Sequence, residues 1–398
     1  MPELVSMIQP ATAVYNKNRA SMLGYVDQLR ALEQRAVDAS SKRNATFEKR
    51  GQLPPIERLR HLLDPGMPFL RLHTLANYCV GDANRETSIP GASVLVGIGF
   101  VQGARCMIWV DDSGIAAGAA TDRSVEITLS IQNLCMRQKL PLIHCVESAG
   151  ANLLKYRVEL WSQFGAVFRN LARMSAMGLP VISVLHGGAT AGGAYMPGMS
   201  DYVIGVKDNG MAALGGAALV KAATGEEANE RELGGTEMHA SVSGLVEYLV
   251  ENDAHALLTA RELIRALDWN KRAHSVQRQA FQLPTYDAEQ LAGIVPTDPK
   301  TPYDFKEVLA RIVDGSVIDE FKPRYGVSTV CCHATITGIA VAFIGNNGPI
   351  DPAGATKVAQ FVQLCDQADM PLIFCHNTTG YMVGTEYERA GMIKHGSK

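Results

Sequence analysis

The sequence predicts an α/β protein in which strands and helices alternate and one fold unit occurs twice. Three observations carry that prediction. Apolar β-branched runs alternate with helix-length amphipathic runs between Ala92 and Gly198. One strand, Val181 to Leu185, opens into the small-residue turn Gly187-Gly-Ala-Thr-Ala-Gly-Gly193. The third is an internal repeat: Asn133-Leu-Cys-Met-Arg-Gln-Lys-Leu-Pro-Leu-Ile-His-Cys145 aligns without gaps with Gln363-Leu-Cys-Asp-Gln-Ala-Asp-Met-Pro-Leu-Ile-Phe-Cys375, a constant shift of 230 positions.

Taken in order, Met22, Leu23, Val26, Leu29, Leu32 and Val37 keep near-helical spacing and predict a long exposed helix over 20–39. Ser41 to Arg50 reads as a solvated basic connection. Pro54-Pro55 opens a helix over 56–63, which Asp64-Pro-Gly66 stops. Two apolar runs within 93–110, joined by Gln102-Gly-Ala-Arg105, predict a hairpin. A helix over 124–138, a strand over 141–146 ending at Glu147-Ser-Ala-Gly-Ala-Asn152, and a helix over 164–177 follow. Crossover units of this kind place helices on the faces of a sheet.

In the turn after Leu185, glycines let the backbone come close to a ligand, and a helix starting near Ala191 leaves its first N–H groups without intrahelical partners. The spacing is neither G-x-G-x-x-G nor a Walker sequence, which argues against a nucleotide-phosphate loop. The hairpin over 93–110 has a counterpart over 328–345, and Ser148-Ala-Gly150 has one in Thr378-Thr-Gly380. The same shift puts a second Gly-rich loop near position ~422, past Lys398, so the second unit is expected to be truncated here.

The 398 residues exceed the ~250–300 at which single cores stop growing, so two units are expected: 1–285 and 286–398. The 47% apolar content is ample for large cores, and a net charge of −3 of mixed sign marks no nucleic-acid or anionic-membrane surface. The eight cysteines lack metal or redox spacing and read as reduced, buried thiols. A reducing compartment is expected, the cytoplasm of a bacterium or the mitochondrial matrix of a eukaryote, with no membrane insertion.

Several segments together resemble the carboxyltransferase (β) subunits of biotin-dependent acyl-CoA carboxylases: Arg50-Gly-Gln-Leu-Pro-Pro55, Ser148-Ala-Gly-Ala-Asn-Leu153, Thr190-Ala-Gly-Gly-Ala-Tyr195, Leu219-Val-Lys-Ala-Ala-Thr-Gly225 and Gly380-Tyr-Met-Val-Gly-Thr-Glu-Tyr-Glu388. The resemblance covers nearly the whole chain. It implies tandem crotonase-like (ClpP/crotonase) ββα-repeat domains, the first holding acyl-CoA and the second, from a neighbouring subunit, holding biotin. On that pattern Gly192 and Gly193 are the catalytic oxyanion pair. Ala149, Gly150, Ala191, Ala194 and Tyr195 are expected on the substrate side, and Thr379, Gly380 and Gly384 on the biotin side. Ala149 stands where the pattern has Gly, and Ala217-Ala218 where it has a Pro pair.

Asn377 to Gly384 resembles methylcrotonyl- and geranyl-CoA carboxylases more than propionyl-CoA carboxylases, so a branched 2-enoyl-CoA is the expected substrate. Two preorganised N–H groups suit the charge that develops on a thioester oxygen when a neighbouring proton leaves. In the family carboxybiotin releases CO2 and its ureido nitrogen takes the proton, without a metal. No biotin-attachment sequence occurs, so the resemblance implies a partner α subunit with biotin carboxylase and biotin carrier functions, and self-association as a dimer of trimers.

Glu147 at a strand end could act as an acid or base, yet a structural ion pair is the favoured reading. His186, His239 and His376 read as core or positioning residues, and Lys221 as solvated. The alternatives are a propionyl- or acetyl-CoA carboxylase subunit, a crotonase-like enoyl-CoA hydratase or isomerase, and a non-catalytic assembly subunit.

Overall fold

The computed structural model describes residues 3–150, 158–271, 278–377 and 380–398. It divides into two compact units, one built from the described residues of 1–29 and 275–398, the other from those of 30–274. Helix α1 (Ala13–Ser41) contributes to both.

In the 30–274 unit, α2 (Asn44–Lys49) and α3 (Pro55–Leu62) precede the sheet. The basic stretch expected as a solvated connection thus forms a helical turn, because Phe47 is buried at 3% exposure and anchors it. Strands β1 (Leu70–Leu72), β2 (Val94–Val101) and β3 (Ala104–Asp111) pair antiparallel in succession. Then α4 (Asp122–Gln138), β4 (Leu142–Ser148), α5 (Val158–Ala176) and β5 (Val181–Thr190) follow as crossover units, β4 parallel to both β3 and β5. Strands β4 and β5 are buried almost end to end, as expected of parallel strands covered on both faces.

Short helix α6 (Gly192–Gly198) leaves β5 directly. Strands β6 (Tyr202–Val206) and β7 (Met211–Ala213), helix α7 (Ala217–Thr224), β8 (Tyr248–Val250) and α8 (Asp253–Leu267) complete the unit. The strand order is β1-β2-β3-β4-β5-β6-β8, with β7 added on β5. Thr121 caps α4 by a reciprocal capping box with Ser124, which fixes where the loop after β3 turns into the helix.

The other unit repeats this beginning. Strands β9 (Asp319–Phe321), β10 (Thr329–Ile336) and β11 (Ile339–Asn346) form an antiparallel set, α9 (Pro352–Gln367) crosses over, and β12 (Leu372–Cys375) returns parallel to β11. Met107 pairs with Leu142 in the first unit and Ala342 with Leu372 in the second, so the repeat is one of structure as well as sequence. Alternation along β10 and β11 gives this unit two cores: Val330, Cys332 and Phe343 pack with Phe305, while Cys331, Ala342 and Ile344 pack with Phe361.

The N-terminal segment belongs to the second unit. Glu3 bridges to Val317, and Ser6 Oγ donates to Glu307 Oε2 at 2.5 Å. Arg311, 2% exposed, gathers Ser6, Gln290 and Glu307 around its guanidinium.

Candidate active site

Parallel α/β sheets place their loops, and so their ligand sites, beyond the carboxyl ends of the strands. The loops after β3, β4 and β5 meet there. Ala149 N–H donates to Ala117 O at 3.1 Å, Ala120 N–H to Gly150 O at 2.9 Å, and Ser148 Oγ to Gly118 O at 2.7 Å. Ala116 and Ala117 hold left-handed backbone (φ 49° and 54°), and Ala191 has φ 51° with ψ −123°. Such conformations are costly for residues with a Cβ, and here they cluster where the loops converge.

Between the sheet and helices α4 and α5 these loops close over a cavity of about 250 Å³. Phe164, Val167, Phe168, Met196, Leu214 and Leu219 make much of its wall apolar. Five residues expected at the site from sequence line it together: Ala149, Gly150, Ala191, Gly192 and Gly193. Ala194 instead joins a small core with Val146, Leu185 and Ala189, while Tyr195, 51% exposed, stands edge-on to Phe168 at 5.7 Å.

A Cβ at Gly193 would meet nothing within 4 Å, and one at Gly192 would meet only Phe168 at 3.7 Å. Packing therefore leaves room for a side chain at both positions, which line the cavity.

Behind the loops lies a buried charge cluster. Arg58, fully buried on α3, places Nη1 2.6 Å from Glu147 Oε2 and Nε 3.3 Å from Asp253 Oδ2. The Glu147 contact is charge pairing at poor hydrogen-bond angles, since neither atom makes an aligned hydrogen bond. Leu53 N–H donates to Asp253 at 2.8 Å, His186 Nδ1 lies 2.9 Å from Asp253 Oδ1, and Gln52 donates to His186 O at 2.7 Å.

Burial pushes the His186 imidazole below the ordinary histidine range, and the Arg58 charge adds to it, so the ring is neutral. Asp253 stays below the usual carboxylate range although burial works against it, because His186, Arg58 and the Leu53 amide face it. The cluster ties the ends of β4 and β5 to α3 and α8. Glu147 is thus held in an ion pair, and His186 is a core residue.

His239 hydrogen-bonds Ser243 and Ala212 O at 2.6 and 2.7 Å, and Lys221 pairs with Glu227 on the exposed surface. Gly380 (φ 138°) and Gly384 (φ 129°) sit in the other unit with no Cβ clash nearer than 3.9 Å, while Thr379 lies outside the described residues. The residues that sequence reasoning did not single out are Arg58, Trp109, Asp111, His144 and Asp253. Only Asp111, ending a strand ahead of Asp112-Ser-Gly114, carried a local signal.

The carboxyl transferase domain model matches residues 47–398. The chain belongs to the carboxyl transferase domain family. This carboxyl transferase domain is 41% identical over 396 residues to a probable biotin-dependent acyl-coenzyme A carboxylase beta2 subunit of Mycobacterium tuberculosis, covering 99% of this chain and 73% of that protein. It is 39% identical over 366 residues to a biotin-dependent 3-methylcrotonyl-coenzyme A carboxylase beta1 subunit of the same organism, covering 91% and 68%.

The crystal structure of the beta subunit of P. aeruginosa geranyl-CoA carboxylase superposes with a TM-score of 0.92 at 45% identity, covering all of this chain and 74% of that one. The mixed, unclosed sheets are those of the crotonase-like carboxyltransferase fold. Among the described residues, no helix is long and apolar enough to cross a membrane.

Proposed function

We propose that this carboxyl transferase domain moves a carboxyl group from carboxybiotin to a branched 2-enoyl-CoA of the methylcrotonyl or geranyl type. The observation that carries the reading is the apolar cavity of about 250 Å³ with Gly192 and Gly193 in its wall and no packing reason for either glycine. The relatives named for methylcrotonyl- and geranyl-CoA support the acyl class.

In this reading the thioester oxygen lies against the Gly192 and Gly193 amides, whose N–H groups stabilise the charge that collects there as a proton leaves the conjugated chain. One such donor is worth ~10²–10³ in rate. The acyl chain runs along Phe164, Val167 and Leu219, where burial of each CH2 contributes about 0.8 kcal/mol and water is excluded from the enolate. Ala149, Gly150 and Ala191 shape the mouth, with Ala194 and Tyr195 behind them.

Carboxybiotin, when bound, supplies the carboxyl group. Thr379, Gly380 and Gly384 form its side of the site. The biotin resides on an α subunit, and the β chains assemble as a dimer of trimers. A hydratase reading finds less support, because Glu147, the carboxylate it would employ, is engaged by Arg58.

The test is carboxylation of acetyl-, propionyl-, methylcrotonyl- and geranyl-CoA by the full-length protein with its biotinylated partner, ATP and bicarbonate. Turnover of methylcrotonyl- or geranyl-CoA is the expected result. Turnover of propionyl-CoA alone, or of none, would overturn the proposal.

A further inference from the structure

The cavity wall also carries an oriented histidine that the carboxyl transfer just described does not use. His144 and Asp111 both line the cavity and are both 4% exposed. His144 Nε2 lies 3.1 Å from Asp111 Oδ2, and the Glu147 amide donates to that same oxygen at 3.2 Å. Trp109, directly opposite His144 in the β3–β4 pairing, lies flat on the imidazole with centroids 3.6 Å apart and 12° between planes. The ring is therefore fixed by a carboxylate at one nitrogen and by an indole on one face.

A carboxylate at Nε2 assigns the ring proton there and leaves the lone pair on Nδ1, which meets no hydrogen-bond donor among the described residues. An imidazole held in one orientation by a carboxylate, with its other nitrogen toward the substrate space, is the arrangement of a general base. The same cavity holds Gly192 and Gly193.

We propose that His144, oriented by Asp111, catalyses proton transfer on the bound acyl chain without biotin. Nδ1 takes a proton from the γ carbon of the 2-enoyl thioester, and the electron pair passes through the conjugated system to the thioester oxygen. The imidazolium then returns the proton to the γ carbon, which is exchange, or to the α carbon, which moves the double bond from the 2,3 to the 3,4 position. No bond to CoA changes, nothing is oxidised or reduced, and no co-reactant is required. The inference rests on the acyl-CoA reading of the cavity.

The experiment uses the full-length protein assembled with its partner left unbiotinylated, with 3-methylcrotonyl-CoA in D2O and neither ATP nor bicarbonate. Deuterium entering the γ and α positions is followed by mass spectrometry, and acyl-CoA binding is measured in the same samples. The expected result is exchange well above the protein-free rate, lowered ~10²-fold or more in H144Q at equal acyl-CoA occupancy. In D111N the carboxylate charge that stabilises the imidazolium is removed, and exchange falls there too while thioester binding is kept.

Exchange no faster than without protein, or undiminished in both H144Q and D111N, would overturn the proposal. Failure of the underlying reading is a different outcome: no acyl-CoA bound here, and no carboxylation when biotinylated partner, ATP and bicarbonate are supplied.

Discussion

Arg58 and Glu147 meet at 2.6 Å with almost no solvent on either side chain, and that contact joins the helix before the sheet to the strand end that carries the Ser148–Gly150 loop. The guanidinium also reaches Asp253 on α8, so one buried cation serves two carboxylates. Replacing one partner leaves an uncompensated charge in the interior. R58M is expected to cost about 3–5 kcal/mol of stability, read from the urea midpoint, and E147Q a smaller part of that because Asp253 still faces the Arg58 charge. An R58M midpoint equal to that of the native protein would show the pair to be dispensable.

Two glycines near the site separate packing from chemistry. A Cβ at Gly187 would lie 2.5 Å from Glu147 Cγ, whereas one at Gly193 would meet nothing within 4 Å. G187A is expected to lose about 1–3 kcal/mol of stability through overpacking. G193V is expected to keep its melting temperature and, on the function proposed here, to lose ~10²-fold or more in carboxylation, because the added isopropyl group would crowd the oxyanion position proposed at this amide. Melting curves alongside turnover of the assembled enzyme decide between these outcomes.

Acid sensitivity follows from His186. Its folded pKa lies below the ordinary histidine value of 6.5, so the unfolded chain takes up a proton that the folded chain refuses. Stability is complete above that value and falls as pH drops through the window below it. Asp253, also depressed, adds its own loss only below the ordinary aspartate value of 3.8. Between pH 7.5 and 5.5 the melting temperature is expected to fall, and H186Q to flatten that dependence. His73, whose pKa partial desolvation also lowers, keeps a residual slope. An unchanged slope in H186Q would assign the acid loss elsewhere.

The thiols are expected to be inert in the native protein. Burial pushes Cys135, Cys145, Cys331 and Cys332 up to about 12 and Cys106 higher still, so almost no thiolate exists at pH 8. Titration with a chromogenic disulfide is expected to label half-buried Cys79 and Cys375 first, and the six buried thiols only after denaturant is added.

Much of the fold was legible because periodicity and the internal repeat are local properties of the chain. The hairpin over 94–111, the crossover helix over 122–138 and their second copies over 329–367 are each written in one local run of residues, largely apolar in the strands and apolar at helical spacing in the helices. Gly192 and Gly193 were legible for the same reason, standing in one short segment whose composition is unusual. What the sequence by itself determined is thus the repeated α/β unit, the Gly-rich turn and the family.

The Asp111–His144 pair, the Arg58–Glu147–Asp253–His186 cluster and the packing of residues 3–29 with 278–398 were decided only in the tertiary structure. Asp111 and His144 are 33 residues apart and Arg58 and Asp253 are 195 apart, and each pair meets only once parallel strands and their crossover helices have stacked. A buried charge has to find its counter-charge wherever the chain brings one, and sequence spacing does not encode that distance.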